Sequence, residues 1–227
     1  MTGSEYLAKV PVFGALDANA REELARYLKP AKFKKDAVIV SREEPGVSLF
    51  LIVKGKVKVV LYGPSGREVI LSLLKDGEFF GEMSLLDGKP RSASVVALMD
   101  SEVLVLDRQD FVRFVETKPS VALMILGEMS RRLREADQKI GSLALLDVYG
   151  RVARALLDLA KKEGEKTDAG VVVKERPTHQ QLAGLVGTSR ETVSRVMSEL
   201  QRQGFLRTQG KRLILTNEAS LEESLLV

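Results

Sequence analysis

The stretch from Gly81 to Ala93 reads Gly-Glu-Met-Ser-Leu-Leu-Asp-Gly-Lys-Pro-Arg-Ser-Ala. It sets one carboxylate ahead of a short apolar run, then a Gly and Pro turn, then Arg91 followed by two small residues. Such a sequence suits a small anion that also carries hydroxyls. Arg91 offers a planar fork of donors to a phosphate. Ser92 adds a hydroxyl donor, and the small side chains of Ser92 and Ala93 let backbone N–H groups approach closely. The run from Met83 through Ser84 to Leu86 has room for one helical turn, whose first amides, next to Gly81, favour negative charge. Glu82 repels a phosphate and is better suited to accept hydrogen bonds from a sugar hydroxyl. The competing reading is a surface turn with one Glu–Arg ion pair.

Around this stretch the sequence alternates as strands do. Val38–Val40, Leu49–Val53, Val57–Leu61, Val69–Leu73, Ala93–Leu98 and Glu102–Leu106 are short β-type runs. Turn signals at Pro45-Gly46, Lys54-Gly55, Gly63 to Gly66, Asp76-Gly77 and Asp100 separate them. Many short strands at even spacing predict a closed all-β unit, a roll or jelly roll, interrupted by a ligand loop. Ahead of it, residues 1–30 read as short helical pieces, with a capped helix near Asp17.

After Asp107 the period becomes helical. Gln109–Glu116 is one short helix, and a long one runs from about Pro119 to Leu146. On it Leu126, Met129, Leu133, Ala136, Ile140 and Leu143 alternate spacings of three and four, a narrow seam. A helix lying on its own domain carries a broader apolar stripe. The seam therefore predicts a parallel contact with a second copy, with ordinary core packing as the alternative. Asp147 caps a further helix to about Lys162, and Glu163 to Gly170 reads as an exposed loop. The expected domains are 1–118, the β-roll; 119–146, the dimerisation helix and hinge; and 147–227.

Within that last part Thr178 and Gln181 form a capping box that opens a helix ending at Gly187. Thr188-Ser189-Arg190-Glu191 opens a second helix whose apolar face is Val193, Val196, Met197 and Leu200. Two β runs around Arg207 to Gly210 follow, so the pattern is a winged helix-turn-helix. Net charge is only +4, but from Val171 to Ile214 eight Lys or Arg face three Glu, a local net of +5. This is the electrostatic footprint of a nucleic-acid binder. Arg190 and Arg195 suit guanine, and Glu191 suits cytosine N4. Thr188, Ser189, Thr192, His179 and Lys211 suit DNA phosphates. The competing reading has Glu191 capping its helix and pairing with Arg195.

Composition removes other chemistries. The 227 residues hold no Cys and one His, which excludes disulfides, iron–sulfur ligation and multi-histidine metal sites. With no nucleophile–base pair among the remaining residue types, the chain is not expected to be an enzyme. No metal, haem or iron–sulfur cofactor is expected. No run of 18 apolar residues and no signal pattern appear, so no membrane partner and a cytoplasmic location are expected.

Residues 81–93 closely resemble the phosphate-binding cassette of cyclic-nucleotide-binding domains. Ser189-Arg190-Glu191-Thr192-Val193-Ser194-Arg195 resembles the recognition helix of the Crp/Fnr transcription regulators. The resemblance to the cyclic-AMP receptor branch of that family covers nearly the whole chain. It implies an α+β architecture: an N-terminal cyclic-nucleotide-binding β-roll, a long dimerisation helix and a C-terminal winged helix-turn-helix. It further implies cyclic AMP as allosteric ligand, held by Gly81, Glu82, Met83, Ser84, Arg91, Ser92 and Ala93, with Val59 and Leu71 as apolar walls. Double-stranded DNA with TGTGA-like half-sites, a second copy of the chain and RNA polymerase are the implied partners. Two residues of the long helix reach the base in these receptors and usually carry hydroxyl or amide groups. Here they are Ala136 and Asp137, which keeps cyclic di-GMP, or no ligand, open as the alternative. A signalling kinase subunit shares the cassette but lacks the reading head.

Overall fold

A computed structural model describes residues 3–8, 10–14 and 16–225. The chain divides into two compact units, Met1–Leu133 and Arg134–Val227. The boundary falls inside one long helix.

The first unit opens with three short helices, α1 (Gly3–Leu7), α2 (Pro11–Gly14) and α3 (Ala18–Ala25). Asp17 caps α3 by accepting from the Ala20 amide. Eight strands follow: β1 (Lys29–Phe33), β2 (Val38–Val40), β3 (Ser48–Lys54), β4 (Lys56–Tyr62), β5 (Glu68–Lys75), β6 (Phe79–Phe80), β7 (Ser94–Ala97) and β8 (Ser101–Asp107). They form two antiparallel four-stranded sheets, in the orders β1-β8-β3-β6 and β2-β7-β4-β5. Ile52, Val57, Leu74, Phe80, Val95 and Val103 fill the space between them. Phe50 and Phe80 stack there at 4.9 Å and 4°.

A second core on the other side of β3 joins α1–α3 to the helices beyond β8. These are α5 (Arg108–Thr117) and the start of α6 (Pro119–Leu145). Leu7, Leu24, Leu49, Leu51, Phe114 and Val121 are almost fully buried in it. Each such side chain contributes about 1.5–3 kcal/mol by leaving water. Tyr6 fastens this layer: its hydroxyl donates to the Ile52 carbonyl and accepts from the Gly77 amide.

Between β6 and β7 the chain forms α4 (Glu82–Asp87). It is bracketed by Gly81 at φ 89° and Gly88 at φ 71°, left-handed positions that glycine adopts without strain.

Along α6, Val121 and Ile125 are buried. Beyond them the apolar seam is open: Leu126, Leu133, Ile140 and Leu143 are 55–64% exposed.

The second unit carries α7 (Val148–Glu163), β9 (Glu165–Thr167), β10 (Gly170–Val173), α8 (His179–Val186), α9 (Arg190–Arg202), β11 (Leu206–Gln209), β12 (Arg212–Leu215) and α10 (Glu218–Glu223). Its sheet runs β11-β12-β10-β9. The expected loop at Glu163 to Gly170 is therefore half of a hairpin, in which Glu165–Thr167 pairs with Gly170–Val172. Leu156, Leu182, Val193, Met197, Leu200 and Leu213 make the core that α7, α8 and α9 share.

Candidate functional site

The cassette is held from several directions. Leu85 buries the inner face of α4, and its carbonyl accepts from Arg108 Nε at 3.2 Å. The Ser41–Glu44 turn clamps the backbone of Arg91. The Glu43 amide donates to the Arg91 carbonyl, and the Arg91 amide donates to the Glu44 carbonyl, both at 2.9 Å. Two glycines make room for these contacts. A Cβ on Gly81 would stand 2.6 Å from Arg91 Nη1, and one on Gly46 would stand 2.0 Å from Ser84 Cβ.

Arg91 is only 6% exposed. Its Nη1 donates to the Gly81 carbonyl at 2.9 Å and its Nη2 to the Ser48 carbonyl at 2.8 Å. Among the described residues it forms no ion pair. Burial pushes its pKa down, and the fields of Glu82 and then Glu44 oppose that. A guanidinium has five N–H donors, so this cation retains capacity for an anion. A buried cation without an ionic partner is costly, and such an arrangement marks anion sites.

Glu82 is 4% exposed. The Glu82–Arg91 ion pair of the competing reading is not formed. Instead Glu82 Oε1 accepts from Arg132 Nη1 at 3.0 Å, and Oε2 is buried with no hydrogen-bond partner among the described residues. Arg132 also donates from Nε to Glu128 and from Nη2 to the Phe79 carbonyl, and it lies 4.6 Å over the Phe79 ring. Arg131 and Arg132 hold the Glu128 carboxyl below the usual carboxylate range, against the opposing effect of its burial. Arg132 was missed by sequence reasoning. Its partner lies 50 residues away, and three arginines crowd positions 131–134, so nothing local singles it out.

The other cassette residues lie around this pair. Ser84 and Ala93 are buried, Met83 and Ser92 are exposed, and the Ser92 hydroxyl faces Met83 Sδ at 3.7 Å. Val59 is half-buried on β4, and Leu71 is exposed on β5. Ala136 and Asp137 are exposed on the part of α6 that belongs to the second unit.

In the reading head the predicted caps form. Thr178 accepts from the Gln181 amide while Gln181 Oε1 accepts from the Thr178 amide. Gly187 closes α8 at φ 69°, and the Thr188 amide donates to the Ala183 carbonyl. Ser189 caps α9 by accepting from the Thr192 amide at 3.1 Å. The buried side of α9 is Val193, Met197 and Leu200, which leaves Arg190, Glu191 and Arg195 exposed. The side chains of Arg190 and Lys211 have no hydrogen bond or ion pair among the described residues. Arg195 Nη2 approaches only Thr192 Oγ1, at 3.3 Å, and forms no ion pair with Glu191. The backbone amide of Glu191 and then the Ser189 hydroxyl hold the Glu191 carboxyl below its usual range. His179, half-buried at the start of α8, is pushed down by desolvation and by Arg176 and Arg190.

The arrangement defines a cyclic-nucleotide-binding domain followed by a helix-turn-helix DNA-binding domain. The family model for the cyclic nucleotide-binding domain matches residues 30–118, and that for the Crp-like helix-turn-helix domain matches residues 150–224. The chain is 31% identical over 217 residues to the CRP-like cAMP-activated global transcriptional regulator of Mycobacterium tuberculosis, covering 96% of this chain and 97% of the relative. It is 37% identical over 215 residues to the cyclic AMP receptor protein of Thermus thermophilus, covering 95% and 96%. Among solved structures, the c-di-GMP responsive global regulator CLP of Xanthomonas campestris superposes with a TM-score of 0.74 at 27% identity. That match covers 88% of this chain and 99% of the other. The chain belongs to the Crp/Fnr family and is a cyclic-nucleotide-binding, DNA-binding transcription regulator. Among the described residues, no helix is long and apolar enough to cross a membrane.

Proposed function

We propose that the protein is a homodimeric regulator that binds a palindrome with TGTGA-like half-sites when cyclic AMP fills the β-roll. The observation that carries this is the pairing of Arg91, a buried cation with no ionic partner among the described residues, with Glu82, whose Oε2 is buried without a donor among them. A cyclic phosphate supplies the anion and a ribose 2′-OH supplies the donor. Ser92, Ala93 and the amides of Gly81, Met83 and Ser84 complete the phosphate seat, Val59 and Leu71 flank it, and Ala136 and Asp137 meet the base. Asp137 accepts from an exocyclic amine, whereas Ala136 offers no side-chain hydrogen bond.

The open seam on α6 supports the dimer, since uncovered apolar stripes on a helix usually mark a partner. In the functional domains 1–118, 119–146 and 147–227, the hinge is Leu145 to Asp147. Arg151 donates from Nη1 to the Leu146 carbonyl and from Nε to the Val186 carbonyl, at 2.9 and 3.0 Å. It thus ties the hinge to the end of α8. Arg190, Glu191 and Arg195 read bases, and Thr188, Ser189, Thr192, His179 and Lys211 hold phosphates. In a dimer, two reading heads must meet successive major grooves about 34 Å apart. The DNA-bound dimer is expected to meet RNA polymerase.

Cyclic di-GMP is the second reading, favoured by the Ala136-Asp137 pair. Calorimetric titration with cyclic AMP, cyclic GMP and cyclic di-GMP tests the assignment. Micromolar or tighter binding of cyclic AMP supports it. Binding of cyclic di-GMP alone replaces the ligand while leaving the DNA reading in place.

A further inference from the structure

Helices α4, α5 and α6 enclose an apolar cavity of about 250 Å³ lined by Leu86, Phe111, Val115, Ala122, Ile125 and Leu126. That volume holds roughly one or two large aliphatic side chains. Phe111 and Ile125 form its buried floor, while Leu86 and Leu126 form a rim about half exposed to water. No polar side chain lines it, so it offers nothing to orient a polar ligand.

Its position on α6 bears on what could fill it. Leu126 is the first residue of the exposed seam, and the alternation of four and three places the preceding seam position at Ala122. The cavity is therefore the N-terminal end of the same stripe. Ala122 is too small to fill the stripe at this level. Its neighbour Leu123, 72% exposed, stands on the flank that a parallel second helix faces.

We propose that this cavity is the first hole of the dimer seam and that it receives Leu123 from a second copy of the chain. The proposal rests on the homodimer reading above and deepens it. Leu86 belongs to α4, the helix that begins with Glu82. A side chain of the second copy seated against Leu86 therefore touches the cassette helix itself. Nucleotide binding and subunit association then act on one element, and each strengthens the other by the same factor.

Cysteine cross-linking tests this in the full-length protein, which has no Cys of its own. Leu133→Cys is expected to cross-link to itself on oxidation, which reports the seam. An equimolar mixture of Leu86→Cys and Leu123→Cys proteins is expected to give a cross-linked heterodimer well above either protein alone, because a disulfide needs Cβ atoms about 3.5–4.5 Å apart. Leu123→Glu is expected to raise the dimer dissociation constant on the order of 100-fold, by losing two buried leucines per dimer. Its helical content by circular dichroism should remain that of the wild type. A seam cross-link at position 133 with no excess for the mixture, and an unchanged dissociation constant for Leu123→Glu, would place some other occupant in the cavity. That result overturns the proposal while the homodimer stands. A monomeric wild-type protein with no cross-link at position 133 overturns both.

Discussion

Arg132 Nη1 lies 3.0 Å from Glu82 Oε1, while Oε2 of the same carboxylate is buried and, among the described residues, unpartnered. One oxygen thus binds the cassette to α6 and the other is left for a ligand. On the proposed reading, a hydroxyl donating to Oε2 shares its carboxylate with α6, the helix that carries the exposed apolar seam, so ligand occupancy would be felt on that helix through a single side chain. Removing Arg132 leaves a buried charge unpaired, a loss that typically costs 3–5 kcal/mol. Arg132→Ala should therefore lower the midpoint of urea denaturation. Glu82→Gln in the same chain should recover part of the loss by removing the orphaned charge. An unchanged midpoint for Arg132→Ala would show that the pair carries no stability.

At the other end of the chain, Arg195 makes one weak contact and no ion pair among the described residues, so its loss should leave folding within about 0.5 kcal/mol. Its effect is expected on DNA. Arg195→Ala should cost about 1–3 kcal/mol on the specific site and relax base preference at one position per half-site. Competition against a panel of single-base variants measures this. An equal loss on every sequence would make Arg195 a phosphate contact.

Tyr6 supplies a prediction about pH. Burial pushes its phenol up to about 12, from an ordinary value near 10. The neutral form is the one the fold holds. The stability it contributes is complete below pH 10 and is lost as pH rises through 12. Wild type should weaken over that window more steeply than Tyr6→Phe. At neutral pH the Phe variant should be less stable by about 0.5–1.5 kcal/mol, because the hydroxyl's hydrogen bonds are lost while the Gly77 amide still donates to the Ile52 carbonyl at 2.9 Å. Thermal melts at pH 7 to 11.5 check both statements, and parallel pH profiles for the two proteins would contradict the first.

His179 adds a second. Its pKa lies below the ordinary value in the free protein, so the ring is neutral at pH 7. A DNA phosphate beside it would raise that pKa, and binding would take up a proton. DNA affinity should then rise as pH falls toward 6, and His179→Gln should flatten the rise. Affinity independent of pH in both proteins would remove His179 from the phosphate contacts.

Much of the fold was legible because its elements announce themselves locally. β3, β4 and β8 carry β-branched runs between glycine or aspartate turns, and Asp17, Asp147, Thr178 and Ser189 all cap the helices expected of them. The elements that escaped include the interior strand β10, the helix α10 and several edge strands. Lys29–Phe33 has a proline and two lysines, and it is recognisable as a strand only through its ladder to β8, where Lys29 pairs with Asp107 and Lys32 with Glu102. Glu165–Thr167 is likewise polar and exposed, and it is a strand because Gly170–Val172 lies beside it. In the cassette, the residue types and their order were readable. That Arg91 rests on two backbone carbonyls and that Glu82 pairs with Arg132 depends on contacts of 43 and 50 residues separation, which no local pattern carries.

The central claim is that a nucleotide on Arg91 and Glu82 controls the grip of Arg190, Glu191 and Arg195 on DNA. Fluorescence anisotropy with a duplex carrying two TGTGA half-sites, with and without cyclic AMP, tests it most directly. The account predicts that cyclic AMP tightens wild-type binding on the order of 100-fold, about 2.7 kcal/mol of coupling. Arg91→Lys, which keeps the charge but loses the planar fork, should bind DNA as the nucleotide-free wild type does and respond little to cyclic AMP. Specific binding of equal strength with and without nucleotide, in both proteins, would contradict it.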